Sequence, residues 1–154
     1  MKNTQKKFSV IMLIIAMIYQ ALSGLLGGSL LIYDPTGAFM NLPLSFLEGT
    51  PFSDFLIPGI ILFVLLGIFP SFVVIGLITK PDWKWSNEFN FYIDQHWAWT
   101  YSLFISIMLI IWIDVQIMLI GYGAPIQIIY AFLGVVLLII TLLPSVKSYY
   151  SLSN

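Results

Sequence analysis

The sequence predicts an all-α membrane protein: four transmembrane helices in one bundle, with both termini on the cytoplasmic side. Three observations predict it. The 154 residues are 60% hydrophobic and only 8% charged, whereas a soluble domain carries about 25% charged residues. Four apolar stretches approach or exceed the roughly 20 residues that a helix needs to cross a bilayer. Every basic residue is a lysine, and drawing the stretches as spans puts all of them on one side. Lys2, Lys6 and Lys7 precede the first stretch, Lys80 and Lys84 follow the second, and Lys147 follows the fourth. Cytoplasmic loops collect basic residues.

The spans consume nearly the whole chain, so residues 1–154 read as a single membrane domain, with the lipid bilayer as its main partner. The lysines flank the membrane and are too few to form a nucleic-acid stripe, so no nucleic acid is expected. With no cysteine, disulfides, thiolate metal sites and thiol nucleophiles are excluded.

The first span covers about 8–33, uncharged from Phe8 to Tyr33. A secretory signal is the rival reading, with Lys6-Lys7, the apolar run Val10 to Ile18, and Ala21-Leu22-Ser23-Gly24 as a cleavage site. The apolar run continues through Leu30-Leu31-Ile32, which favours a retained helix. Gly24 and Gly28 form a GxxxG pair, and Ser23 with Gly27 repeats the small-residue spacing. Such spacing lets helix backbones approach closely, here on the protein's own helices or on a second copy.

The outer loop, 34–54, opens with turn chemistry at Asp34-Pro35-Thr36-Gly37, where the acid can bond nearby backbone and glycine relieves the turn. Phe39, Met40, Leu42, Leu44, Phe46 and Leu47 are too apolar for a solvated loop. They should lie in the interface or fold back over the outer mouth. The second span covers about 55–79. Thr50 or Ser53 is placed to cap it, with Pro51 in the first turn. Pro70, inside this helix, frees a backbone carbonyl and predicts a kink.

The inner loop, 80–95, is aromatic. Trp83, Trp85, Trp97 and Trp99 are four of the five tryptophans, and such rings collect at headgroup level. Phe89, Tyr92, Ile93, His96 and Trp97 recur at helical spacing, which predicts an amphipathic extension of the third helix over Ser86 to Gln95. It reads as an anchor belt, with a site for an acyl chain or headgroup as the alternative. The third span covers about 96–120 and the fourth about 124–143, ended by Pro144. Gly121-Tyr122-Gly123-Ala124-Pro125 is a tight turn, making the two an antiparallel hairpin.

Asp114 is the one ionisable residue well inside a span, about 9 Å from its outer end. A carboxylate there costs a few kcal/mol, so it is expected to face the interior and have a partner. No lysine reaches it. It must be protonated, hydrogen-bonded while charged, exposed to water, or paired with another subunit. Folding the hairpin puts Tyr130 at nearly the same depth and Gln127 one turn further out. Gln20 and Ser23 of the first helix complete a candidate polar cluster of Asp114, Tyr130, Gln127, Gln20 and Ser23. Gln116 stands about 200° around the helix from Asp114, so the two cannot share a pocket. His96 shares a face with Asp114 but lies about 27 Å away, which excludes a Ser/His/Asp arrangement. His96, Glu88 and Asp94 lack ligand spacing for a metal, and no cofactor is implied.

The segment Asp34-Pro-Thr-Gly37, Leu42-Pro43 and Gly49-Thr-Pro-Phe-Ser-Asp-Phe-Leu-Ile-Pro-Gly59 resembles the outer loop of a group of small four-helix bacterial membrane proteins. His96-Trp-Ala-Trp-Thr100, Ile111-Trp-Ile113 and Leu142-Leu-Pro-Ser-Val-Lys147 look like the second half of the same group. The resemblance implies a home in the bacterial cytoplasmic membrane; the group has no assigned activity. Three functions stay open. The first is an accessory or structural membrane subunit, acting as a homo-oligomer or on a partner membrane subunit. The second is a small transporter or channel with a polar path around Asp114. The third is a lipid-modifying enzyme using Asp114 and Tyr130.

Overall fold

The structure, a computed structural model, describes residues 2–122 and 125–152. The named elements are all helical: α1 (Lys2–Tyr33), α2 (Leu56–Phe63), a π turn (Val64–Ile68), α3 (Phe69–Thr79), α4 (Lys84–Asn87), α5 (Trp97–Ile120), α6 (Pro125–Leu142) and α7 (Pro144–Tyr149). Two short 3-10 turns lie between α1 and α2. Four stretches, Lys6–Tyr33, Leu56–Thr79, Trp97–Ile120 and Pro125–Leu142, are long and apolar enough to cross a membrane. Large apolar side chains such as Phe8, Leu26, Ile111, Met118 and Phe132 are exposed along them, as expected where hydrocarbon, not water, is the surrounding medium. Gly123 and Ala124 of the 121–125 turn lie outside the described residues.

Helix α1 packs along α2, the π turn and α3; α5 and α6 pack along each other. The two pairs meet where α3 touches α5 and where α1 touches α6. Glycines set the first contact. A Cβ on Gly24 would lie 1.9 Å from the Leu66 carbonyl oxygen, and one on Gly28 would lie 2.6 Å from the Phe63 backbone. Gly27 is looser, with only a Leu62 methyl at 3.3 Å. The small-residue stripe is therefore used within this chain, against the second span, rather than left open for a copy.

Pro70 has no N–H to offer Leu66, four residues earlier. The helix answers with the π turn just before the proline and with an outside donor. The Gln20 side-chain amide donates to the Leu66 carbonyl at 3.1 Å.

At the end holding the 34–55 connection, Asp34 accepts from the Thr36 hydroxyl and from the backbone N–H groups of Thr36 and Phe39. The Thr36 hydroxyl first, then the Phe39 N–H, hold its carboxyl below the usual carboxylate range. Leu47 and Phe55 fold onto Leu31 with Met40, Leu42 and Phe52 around them, so the apolar connection roofs this end. The expected caps differ. Helix α2 starts at Leu56, beyond the reach of Thr50 or Ser53, and the Asp54 carboxylate accepts from the Leu56 N–H at 2.9 Å. Pro58, not Pro51, occupies its first turn, where the missing donor costs nothing.

The opposite end departs more from the sequence reading. Ser86 to Gln95 is not an amphipathic helix: helix is confined to Lys84–Asn87. Asn90 competes locally, donating from its amide to the Gln95 carbonyl and accepting from the Thr100 hydroxyl. Side chains that satisfy loop backbone in this way favour turns over helix. Phe91 and Ile93 are left exposed.

The tryptophans do not form a belt either. Trp97 and Trp99 are buried to 1% and 2% exposure. Trp97 donates to the Pro81 carbonyl at 2.9 Å, and Trp99 donates to that of Thr141 at 2.8 Å, where α6 runs out before Pro144. Trp83 is half-buried, stacked on Trp97 and Phe72. Only Trp85 is well exposed among these four. The C-terminal segment closes the end: His96 N–H donates to the Tyr150 carbonyl, Leu152 N–H to that of Asp94, and the Tyr150 hydroxyl to that of Leu77.

Candidate functional site: a cavity under the 34–55 connection

The terminal half of the interior is filled by Leu13, Met17, Val73, Leu77, Trp97 and Ile105, each almost fully buried. Towards the connection the two helix pairs part. Helix α2 stays on α1, while α5 leans on α6 and on the 3-10 turn Leu44–Leu47. The space between is a cavity of about 440 Å³. Its deep end is set by Gln20, Leu66 and Leu109, and its roof includes Met40, Leu47 and Phe52. At 1.5 Å per residue, the stretch of α5 from Leu109 to Ile120 gives it a depth of about 16 Å.

Four of the five residues expected in a polar cluster line this cavity: Gln20, Ser23, Gln127 and Tyr130. Asp114 does not. The Tyr130 hydroxyl lies among the Ser23 and Tyr19 side chains, with its ring stacked on Tyr19 at 6.4 Å. Ser23 donates back to the Gln20 carbonyl at 2.9 Å. Gln127 is buried and donates to the Gly121 carbonyl at 3.2 Å, bracing the start of α6. Gln20 is nearly fully buried, and once its Nε2 is committed to Leu66 its Oε1 has no partner among the described residues.

Asp114 is exposed on the opposite face of α5. Its neighbours on that face, Ile107, Ile111 and Met118, are exposed and apolar. Among the described residues its carboxylate meets no hydrogen-bond donor and no cation. The expected inward-facing, partnered acid is corrected here. Nearly every position of α5 is apolar, so hydrophobic periodicity gives the helix no preferred face, and glutamine rather than aspartate turns inward. Gln116 lines the cavity, half-buried and with no partner among the described residues. The 200° offset between positions 114 and 116 was the signal that could have found it, once Asp114 was allowed to face outwards.

The separation of Asp114 from Tyr130 leaves no acid/base pair at the cavity. Among the described residues no three His, Asp or Glu side chains gather in one place. His96 serves as the cap of α5: its Nδ1 accepts from Ala98 N–H at 3.2 Å, and its Nε2 faces the Pro81 carbonyl at 3.2 Å. Among the described residues no lysine, arginine, histidine or acid lines the cavity. Compared with known proteins, the chain matches no family model, no curated protein and no solved structure.

Proposed function

We propose that this chain is an accessory or structural subunit of a membrane complex, a four-helix bundle of the bacterial cytoplasmic membrane with both termini in the cytoplasm. The orientation rests on the lysines, all of which fall at the terminal end, where cytoplasmic loops collect positive charge.

The observation that carries the subunit reading is the outward-facing Asp114. An acid within a span costs a few kcal/mol and is ordinarily paired or turned inwards. Here it stands in an apolar face with no partner among the described residues. A partner helix carrying Lys or Arg at that depth would complete it. A second copy in the same orientation offers no cation there, because every lysine sits at the far end. The partner is therefore a different membrane protein. The transporter and enzyme readings both drew on Asp114 as part of a polar interior, and its position outside the cavity removes their main support.

The test is site-specific photocrosslinking from position 118, one turn from Asp114, in intact membranes. The reading expects one discrete crosslinked partner, lost on Asp114→Leu while the protein stays folded. Crosslinks that are diffuse, or unchanged by the substitution, overturn it.

A further inference from the structure

We infer that the cavity holds one chain of a neutral lipid, its uncharged head at Gln116 and its tail running down to Leu66 and Leu109. This goes beyond the subunit reading and uses the opposite face of α5, so the two can fail separately.

Size comes first. At about 440 Å³ the cavity falls in the ~300–1,000 Å³ range of small-molecule sites and far exceeds the ~30 Å³ share of one water. Its walls are mostly apolar, which suits a hydrocarbon chain better than a file of water molecules, each of which needs about two to four polar partners. Its depth of about 16 Å matches half of a ~30 Å hydrocarbon core, the reach of one chain from one leaflet.

The polar groups fix the direction. Gln116 is half-buried on the wall in the half nearer the roof, with amide donors and acceptor uncommitted. The deep end is bounded by Leu66 and Leu109; Gln20's Nε2 is already spent on the Leu66 carbonyl, which leaves there a single acceptor, Oε1, and no free amide donor to match that of Gln116. A head offering both a donor and an acceptor, such as a glycerol ester with free hydroxyls, satisfies Gln116. Charge excludes the alternatives. With no cation among the lining residues, a phosphate or ionised carboxylate drawn in would remain uncompensated. The class that fits is a monoacylglycerol-like lipid.

The test uses the full chain in phosphatidylcholine nanodiscs with a photoreactive monoacylglycerol bearing a diazirine near the chain end. Labelling is expected to concentrate at Leu66 and Leu109 and to spare the exposed Ile111 and Met118. Unlabelled monoolein should compete, and lysophosphatidylglycerol should not. Ile61→Trp, which fills the cavity from α2, should bring labelling down to the level of the exposed face. Gln116→Leu should weaken competition by monoolein about tenfold, the scale of one lost hydrogen-bonded contact. Labelling spread evenly over lipid-facing positions overturns the inference, as does equal competition by the charged lipid. The wild-type competition decides the matter even where a variant fails to fold.

Discussion

The Gln20 amide donates to the Leu66 carbonyl, the acceptor that Pro70 deprives of its ordinary helical donor. Gly24, one turn along from Gln20, is what lets α1 come close enough, since any Cβ there would overlap that same carbonyl. Glutamine, glycine and proline are thus three parts of one contact between the first two long apolar helices.

Gln20→Leu is expected to destabilise the protein by about 0.6 kcal/mol, the average for hydrogen bonds between membrane helices, and by no more than about 1.7 kcal/mol, the largest of them. Pro70→Ala restores the missing N–H, so the loss from Gln20→Leu should shrink in that background. A double-mutant cycle by denaturation in mixed micelles checks this; strict additivity would show that the two residues are uncoupled.

Gly24→Ala and Gly28→Ala should each cost about 1–3 kcal/mol through overpacking against backbone. Gly27→Ala should cost clearly less, because its neighbour is a movable Leu62 methyl. The ranking, read from thermal unfolding midpoints, is the informative quantity. Equal effects at all three would mean that α1 does not approach α2 and the π turn as described.

Much of the architecture was legible because span length is a strong signal. The apolar stretches read as 55–79, 96–120 and 124–143 coincide within a residue or so with the helices Leu56–Thr79, Trp97–Ile120 and Pro125–Leu142, which are long and apolar enough to cross a membrane. Gly24 and Gly28 announced a close contact through their spacing, though not which helix they would meet. Facing was another matter. In α5 almost every side chain is apolar, so nothing in the pattern told Asp114 from Gln116. The tryptophans misled for a related reason: composition places an indole near an interface but does not reveal that a broken helix end will leave Thr141 a carbonyl to fill. Over 86–95 the helical period was present, yet Asn90 diverted the backbone into a turn.

His96 should make stability depend on pH. Burial, first of all, lowers its pKa below the ordinary histidine value, reinforced by Lys80 and opposed by the Pro81 carbonyl. Above about pH 6.5, the unfolded value, the imidazole is neutral in both states and its cap on α5 is intact. As pH falls below that value the unfolded chain takes up the proton first, so stability should decline. His96→Asn keeps a good capping side chain without the titration, and its unfolding midpoint should be flatter as pH falls below about 6.5. An unchanged slope would remove His96 as the cause.

Trp97→Ala and Trp99→Ala should each cost about 3–5 kcal/mol, as large buried side chains do, while Trp85→Ala, which loses only its stacking on Phe72 and Trp83, should cost about 0.5–1.5 kcal/mol. A membrane-anchor belt would instead make the three comparable. Unfolding in micelles separates the two patterns.

Asp114 supports the central claim, and a charge exchange tests it most directly. Purification in mild detergent should co-isolate a membrane protein bearing a lysine or arginine within a span. Asp114→Lys should break that association, and an acid placed at the partner's basic position should restore it. Isolation of the chain alone, with Asp114→Leu equally stable and equally abundant in membranes, would contradict the account.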